Sequence, residues 1–160
     1  MQAGRWSQGL DAAPQPPIGV TMDFQEFNKG VIADFRANGG QCGGDFAGAP
    51  MILVTMTGAK SGRELCSPLV YTADGDDLVI IASAGGAPKH PAWYHNLVAN
   101  PTVTLEVGTD KWEATAVEVK GDERKRIYDA QAAIMDNFTD YEKSATGHGR
   151  VIPVFRLVRN

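Results

Sequence analysis

The stretch Ala82-Ser-Ala-Gly-Gly-Ala-Pro-Lys-His-Pro-Ala-Trp-Tyr-His-Asn-Leu97 directly follows the apolar run Leu78-Val-Ile-Ile81. Its Gly85-Gly86 pair predicts a turn, and Pro91 predicts the first position of a short helix, where a missing N–H group costs nothing. Two aromatic residues and an asparagine then crowd into about one helical turn. A strand, a glycine turn and a helix in this order place backbone N–H groups beside an aromatic wall, which suits a planar, anionic ligand.

A second segment points to the same kind of ligand. The strand predicted at Met51–Thr57 is followed by Gly58-Ala-Lys-Ser-Gly-Arg63 and a returning strand. Two cations and a hydroxyl in a glycine-bounded loop suit phosphate or carboxylate binding. The glycine spacing differs from that of a P-loop, and no helix follows the Lys-Ser pair. From this loop alone, an ordinary β-hairpin with solvated charges remains an open alternative.

Four ordered blocks of the chain, between about Ile52 and Leu157, resemble the deazaflavin-dependent nitroreductase family. Its members are small split-barrel reductases of actinobacteria that use coenzyme F420. The blocks are Thr57-Gly-Ala-Lys-Ser-Gly62, Ser67-Pro-Leu-Val-Tyr71, Ala87-Pro-Lys-His-Pro-Ala-Trp-Tyr-His-Asn-Leu97 with Asn100-Pro101, and Ile152-Pro-Val-Phe155. The resemblance implies a mainly β fold with flanking helices (α+β), a split β-barrel like that of FMN-binding proteins.

Composition agrees with one compact domain. The chain has 160 residues, 43% hydrophobic residues and a net charge of -4, which argues against a basic nucleic-acid-binding face. No apolar run approaches the roughly 20 residues that span a bilayer, and residues 1–21 lack the apolar core of a signal peptide. Cys42 and Cys66 form no metal spacing and are expected to be free thiols in the cytosol.

The predicted organisation is a flexible leader at 1–21 and a single domain at 22–160, with Met22 as an alternative start. Asp23 and Glu26 predict a helix start, and an apolar stripe continues the helix to Asn38-Gly39-Gly40. The stripe consists of Phe24, Phe27, Val31 and Phe35. We expect this helix to dock on the barrel; in the family such a helix can also cover the cofactor or touch a membrane.

Short strands and hairpin turns dominate the rest of the chain. Strands are predicted at 51–57, 66–73, 78–83, 102–107, 112–119 and 151–158, with turns at Asp74–Asp77 and Gly108–Lys111. A helix capped by Asp122 is predicted to reach about Met135, with Ile127, Ala130 and Ile134 on one face. This pattern favours a small barrel over a doubly wound sheet.

The chemistry that the resemblance implies is hydride transfer from reduced deazaflavin to an electron-poor carbon. No nucleophile–base pair is evident, and the three histidines show no metal spacing. Each histidine is therefore expected to be structural or exposed.

The resemblance assigns cofactor contacts to four segments, one of which, Ala92–Asn96, matches the stretch that packs the ring and ribityl chain. Lys60 and Ser61 match positions that hold the phosphate and oligoglutamate tail, and Ser67–Val70 matches the stretch along the deazaflavin. Ser83 and the glycine turn match donors near the ring. The full cofactor-binding set is Lys60, Ser61, Arg63, Ser67, Pro68, Leu69, Val70, Ser83, Ala84, Gly85, Lys89, Ala92, Trp93, Tyr94, His95 and Asn96. For Trp93 and Leu97, core packing is an equal alternative; Asn96 is harder to explain as core because a buried amide needs partners.

Three positions depart from the family pattern. Relatives usually carry Arg where Leu65 stands and often Lys where Ala84 stands, and Ala59-Lys60 replaces a basic pair. Loss of cations opposite an anionic tail is expected to weaken binding, with Arg63 and Lys89 as compensating charges.

For catalysis and substrate binding, the resemblance points to Ser83, Phe138 and Tyr141. Ser83 and Tyr141 are the candidate catalytic donors, and Phe138 and Tyr141 the candidate substrate contacts. Tyr141 as a surface aromatic that stabilises a loop is the alternative. Because Phe138 lacks a hydroxyl found in nitroreducing relatives, reduction of enones, coumarins or quinones is the broader expectation.

Three interpretations remain open at this point: a deazaflavin-dependent reductase, a deazaflavin carrier with little catalysis, or a split barrel that binds FMN or another ligand. The expected location is cytoplasmic, with peripheral contact at the inner membrane face as an extension. The expected partner is a small planar acceptor, and the sequence leaves the oligomeric state open.

Overall fold

The computed structural model describes residues 24–43 and 47–160. The predicted leader, the alternative start at Met22, the Asp23 cap and the side chains of Phe24, Glu26 and Phe27 lie outside the described residues. The helices are α1 (Phe24–Ala37), α2 (Ala92–Ala99), α3 (Gly121–Ile134) and α4 (Asn137–Gly147). The strands are β1 (Met51–Thr57), β2 (Glu64–Val70), β3 (Thr72–Asp74), β4 (Asp77–Ile81), β5 (Thr102–Val107), β6 (Asp110–Val119) and β7 (Val154–Arg159).

All seven strands form one antiparallel sheet in the order β2-β1-β5-β6-β7-β4-β3. One face of this sheet supplies a single core cluster, to which six of the strands contribute. Representative members are Ile52, Leu69, Ile80, Leu105, Ala116 and Phe155. A sheet must curve for residues from strands this far apart to meet, so the split-barrel prediction is confirmed.

Helices cover the barrel at three places. Trp93 and Leu97 of α2 join the main cluster, and α3 and α4 bury a second cluster against Val79 and Ile81. Helix α1 docks through Phe35, which packs with Met51 and Leu53 of β1. Arg36 adds a two-pronged ion pair with Glu106 of β5, at 3.1 and 2.8 Å. The described part of α1 therefore belongs to the barrel.

Most predicted strands are confirmed, β1 and β5 with the predicted bounds. The other four differ by a few residues, two of them for visible reasons. The strand predicted at 66–73 breaks at Tyr71, whose N–H group donates to Pro50 at 3.0 Å instead of joining a ladder. The last strand begins at Val154 rather than 151, because Pro153 has no N–H group to donate.

Several helix predictions were wrong in detail. Pro91 and Lys120 precede their helices as caps, so Pro91 is not the first helical residue and Asp122 lies inside the first turn of α3. Ala130 and Ile134 are exposed, and the buried face of α3 carries Ile127, Tyr128 and Gln131. Helix α4 was not predicted at all.

Candidate functional site

Both sequence motifs lie at the same end of the sheet. Strands β1, β4 and β6 end there, and β2, β5 and β7 begin there, as the antiparallel registers require. We call residues 58–63 the lysine loop and residues 82–91 the serine loop. Helix α2 leads from the serine loop across this end of the barrel.

The lysine loop is closed by its own backbone. The N–H group of Gly58 donates to Arg63 O at 2.8 Å, and that of Gly62 donates to Gly58 O at 3.0 Å. Ser61 Oγ accepts from the Arg63 N–H group at 3.1 Å. The side chains of Lys60 and Arg63 are left exposed, so both charges are available to an anion.

Asn96 joins the lysine loop to α2. Its Oδ1 accepts from the Ala59 N–H group at 2.9 Å, and its Nδ2 lies 3.7 Å from Met56 Sδ. Asn100 adds a weaker bond to Thr57 O at 3.4 Å. The amide thus has the partners that its half-buried position requires.

The segment Ser67–Val70 forms most of β2. Ser67 pairs with Val54 and Leu69 with Ile52, so both side chains face the barrel interior. Leu69 is fully buried, Pro68 is buried and Val70 is half-buried. A ligand along this strand would therefore meet mainly the backbone and the edges of these side chains.

The serine loop is held far more tightly than the lysine loop. Ser83 is fully buried, Ala84 adopts a left-handed conformation with φ 47°, and Gly86 has φ 77°. A Cβ atom on Gly86 would lie 2.7 Å from Tyr141 O, because this turn packs directly on α4. Ser144 Oγ donates to Gly86 O at 2.9 Å.

Arg150 fastens the serine loop from behind and was missed by the sequence interpretation. It is 6% exposed and donates through Nη1 to Ser83 O at 2.9 Å and Ala87 O at 2.8 Å. Its Nη2 donates to Ala82 O, and its Nε donates to His90 Nδ1 at 2.7 Å. The available signal was a cation directly before the apolar run Val151-Ile-Pro-Val154.

Phe138 and Tyr141 lie on α4, not in a loop. They are 6% and 9% exposed, and their ring centroids are 5.4 Å apart. Tyr128 Oη donates to Phe138 O at 2.6 Å, and burial raises the pKa of Tyr128. The alternative of Tyr141 as a surface aromatic is wrong, since its side chain is buried behind the serine loop.

A cavity of about 770 Å³ opens on the other side of α2. Of the predicted cofactor residues, only Lys89, Tyr94 and His95 line it. The ring of Tyr94 lies 4.3 Å from that of His90, and its hydroxyl donates to Glu118 at 3.5 Å. Burial, followed by Glu118, raises the pKa of Tyr94. The predicted site residues therefore fall into two groups, one on each side of α2.

Comparison with known proteins identifies the family. The model of the F420H(2)-dependent quinone reductases matches residues 28–159. A quinone reductase of this kind from Mycobacterium tuberculosis is 37% identical over 128 residues, which cover 79% of this chain and 86% of that protein.

This chain belongs to the F420H(2)-dependent quinone reductase family. A solved F420-H2 dependent reductase is similar with a TM-score of 0.60 and 37% identity, over 68% of this chain and 93% of the other. A domain-swapped dimer matches at the same TM-score and identity, over 68% of this chain and 79% of the other. The predictions of an F420-dependent oxidoreductase and of F420H2 as the reductant are confirmed.

The residues at this end of the barrel fit an anionic cofactor. The exposed Lys60 and Arg63 provide charges for phosphate and carboxylate groups, and the Asn96 bond fixes their loop against α2. Leu65, where the family resemblance leads us to expect Arg, is 36% exposed beside the lysine loop. A long cationic side chain at this exposed position would be able to reach an anion, whereas Leu65 carries no charge.

Among the described residues, no helix is long and apolar enough to cross a membrane.

Proposed function

We propose that this protein transfers a hydride from F420H2 to a planar, electron-poor acceptor, with quinones first and enones, coumarins and nitro compounds as related acceptors. One observation carries the proposal. The hydrogen bond from Ala59 to Asn96 joins the cationic lysine loop to the helix that leaves the serine loop. This bond connects the proposed anion-binding loop with the rigid turn around Ser83 at one end of the barrel.

The proposed cofactor position runs from the lysine loop towards the serine loop. Lys60, Ser61 and Arg63 hold the phosphate and glutamate groups, and charge-assisted bonds of this kind are the strong ones. The ring lies along β2 and the turn at 84–86, with Ala92 and Asn96 on the facing side of α2. Reduced deazaflavin supplies the hydride, so the protein contributes orientation and electrostatics.

The acceptor side is assigned to α4 and the serine loop. Gly86 touches α4 at Tyr141 and Ser144, which keeps the turn that carries Ser83 against the helix that carries Tyr141. We assign the Ser83 and Tyr141 hydroxyls to stabilising the negative charge that develops on an acceptor oxygen. Phe138 contributes an apolar wall behind Tyr141.

Binding is tested first, by titrating the protein with oxidised F420 and following tryptophan fluorescence. Arg63→Ala is expected to raise the dissociation constant about five- to tenfold, because one charge-assisted contact is lost. Lys111→Ala removes a lysine near the start of β6, at the far end of the sheet, and is the matched control. Ala84→Lys restores the cation common in relatives and is expected to tighten binding several-fold.

The contrary outcomes are distinct. An unchanged dissociation constant for Arg63→Ala would show that Arg63 does not contact the cofactor. Equal effects of Arg63→Ala and Lys111→Ala would show that the change in net charge, and not a specific contact, weakens binding. Oxidation of F420H2 by a quinone, followed by absorbance, then tests turnover. Saturable binding without turnover of any acceptor class would identify a carrier instead of a reductase.

The cytoplasm is the proposed location, with or without peripheral contact at the inner membrane face. Cys42 and Cys66 are free thiols, which supports a reducing compartment. Burial raises the pKa of both thiols, so neither is a reactive nucleophile under ordinary conditions.

A further inference from the structure

The cavity beside α2 collects all three histidines of the chain. His90 and His95 line its wall together with His148, which is more than 50 residues away in the sequence. We call it the histidine cavity. Three imidazoles at one place are unexpected for residues that serve only as surface groups.

The histidine cavity is also strongly cationic. Lys89, Lys120, Arg124 and Arg150 line it, against the single carboxylate of Glu118. The whole chain has a net charge of -4, so this concentration of positive charge runs against the overall balance. A concave surface lined by one sign of charge attracts ligands of the opposite sign.

The cations of the cavity divide into fixed and available ones. Arg124 donates to Ile152 O and to Glu142, both at 3.0 Å, and Arg150 is held by the serine loop. Lys89 is exposed. The Lys120 side chain is 79% exposed, and its Nζ forms a long ion pair with Glu118 Oε2, at 3.9 Å. The two arginines are therefore positive charges at fixed positions, and the two lysine side chains are exposed enough to contact a ligand.

His90 adds a fixed donor to this field. Its Nδ1 accepts from Arg150 Nε at 2.7 Å, so in the neutral ring the proton is on Nε2. An N–H donor suits an anion and not a metal ion, which needs a free nitrogen lone pair. In agreement, no group of three or more His, Cys, Asp or Glu in the described residues could hold a metal.

The cavity is separate from the proposed cofactor position. The lysine loop reaches α2 through Asn96, whereas the cavity meets α2 through Tyr94 and His95. None of Lys60, Ser61 and Arg63 lines the cavity.

We propose that the histidine cavity is a second binding site, for a small oxyanion with a carboxylate or phosphate group. The site goes beyond hydride transfer and does not depend on the proposed function. The same chemistry could come from a separate acidic metabolite or from the acidic tail of F420, and the experiment distinguishes these two sources.

The test is a titration with inorganic phosphate at constant ionic strength, followed by NMR of the ¹⁵N-labelled imidazoles. Every imidazole signal of this chain reports on the cavity, so saturable shifts are expected. Lys120→Gln combined with Lys89→Gln is expected to weaken binding about tenfold. Lys111→Gln, at the far end of the sheet, is expected to leave it unchanged. Absence of saturable shifts, or an equal loss with Lys111→Gln, overturns the proposal.

A second titration, with F420 in the presence of phosphate, identifies the source. Competition supports the oxyanion site with the cofactor tail as its ligand and overturns the assignment of that tail to the lysine loop. Independent binding supports the site with a separate acidic molecule as its ligand. If F420 fails to bind while phosphate still shifts the imidazoles, the proposed function fails and the oxyanion site stands.

Discussion

The lysine loop and the serine loop lie at the same end of one barrel but are built in opposite ways. The lysine loop is exposed from Ala59 through Arg63 and closes on itself through two backbone hydrogen bonds. The serine loop has Ser83 fully buried, Arg150 behind it and α4 packed against Gly86. The lysine loop is exposed, whereas the serine loop begins in the core, at Ala82 and Ser83.

This difference matches two demands of hydride transfer. Holding a charged tail requires cations that solvent and ligand can both reach, and some adjustment of the side chains is harmless. Positioning the reacting atoms requires fixed geometry, since small displacements are costly to rate. Under the proposed function, the lysine loop supplies affinity for the cofactor and the serine loop aligns the reacting atoms, and matched substitutions in the two loops test this separation.

The largest contrast is expected between Arg150→Met and Arg63→Met. Removing Arg150 takes a donor from the carbonyls of Ala82, Ser83 and Ala87, and each buried group left unsatisfied costs about 1–3 kcal/mol. We expect Arg150→Met to lower the free energy of unfolding by about 2–5 kcal/mol. Arg63→Met is exposed and is expected to change it by less than about 0.5 kcal/mol.

Urea unfolding of both variants measures the contrast. Arg150→Lys is a useful companion, because it keeps the charge but cannot form the same fork of bonds. If Arg150→Met were as stable as Arg63→Met, the serine loop would be held mainly by its contacts with α4, and the contrast between the loops would lose its main support.

A smaller contrast is expected between Gly86→Ala and Gly62→Ala. Both glycines have positive φ, 77° and 69°, so each alanine carries a backbone strain of about 1–2 kcal/mol. A Cβ atom on Gly62 meets nothing within 4 Å, whereas one on Gly86 lies 2.7 Å from Tyr141 O and 2.9 Å from Ser144 Cβ. Overpacking adds about 1–3 kcal/mol at Gly86 only.

Thermal unfolding and F420H2 oxidation separate the two effects. Gly86→Ala is expected to lower both stability and kcat, because it displaces the turn that carries Ser83, while Gly62→Ala lowers stability alone. Equal losses of stability in the two variants would show that α4 moves aside and does not fix the turn.

Local patterns were sufficient to predict most of the sheet. Strands β1 and β5 alternate or run apolar between clear turn signals, and their predicted bounds match the structure. Helix α4 was harder, because Thr139, Ser144 and Gly147 weaken its helical propensity. Its buried residues Phe138, Tyr141 and Ala145 still follow a helical spacing that could have revealed it.

Site residues could be predicted only where the residues that act together are neighbours in the sequence. The exposed cations of the lysine loop can be read from neighbouring residues, but Arg150 acts on residues 60 or more positions away. Likewise, His148 lines the same cavity as His90 and His95 only because the antiparallel registers bring distant loops to one end of the sheet. The composition of a single sequence shows that these residues are present, but not which distant residues contact one another in the fold.

The smallest expected effect concerns pH and the bond between Arg150 and His90. Burial, then the guanidinium of Arg150 and the ring of His95, lower the pKa of His90, and Glu118 opposes this only weakly. His90 must be neutral to accept from Arg150, so the folded state resists protonation more than the unfolded chain, where the pKa is about 6.5. The stabilising contribution is therefore complete above about pH 6.5 and declines as the pH falls towards the folded-state pKa.

Urea unfolding at pH 7.5 and pH 5.5 measures this decline. His90→Gln is expected to reduce the difference in unfolding free energy between the two pH values, because an amide oxygen can accept from Arg150 at either pH. His148→Gln, an exposed histidine of the same cavity, is the control and is expected to keep most of the difference. If both variants retained the full pH dependence, the titration of His90 would not be linked to the anchoring of the serine loop, and the rigidity of that loop would rest on its carbonyl bonds to Arg150 and its contacts with α4.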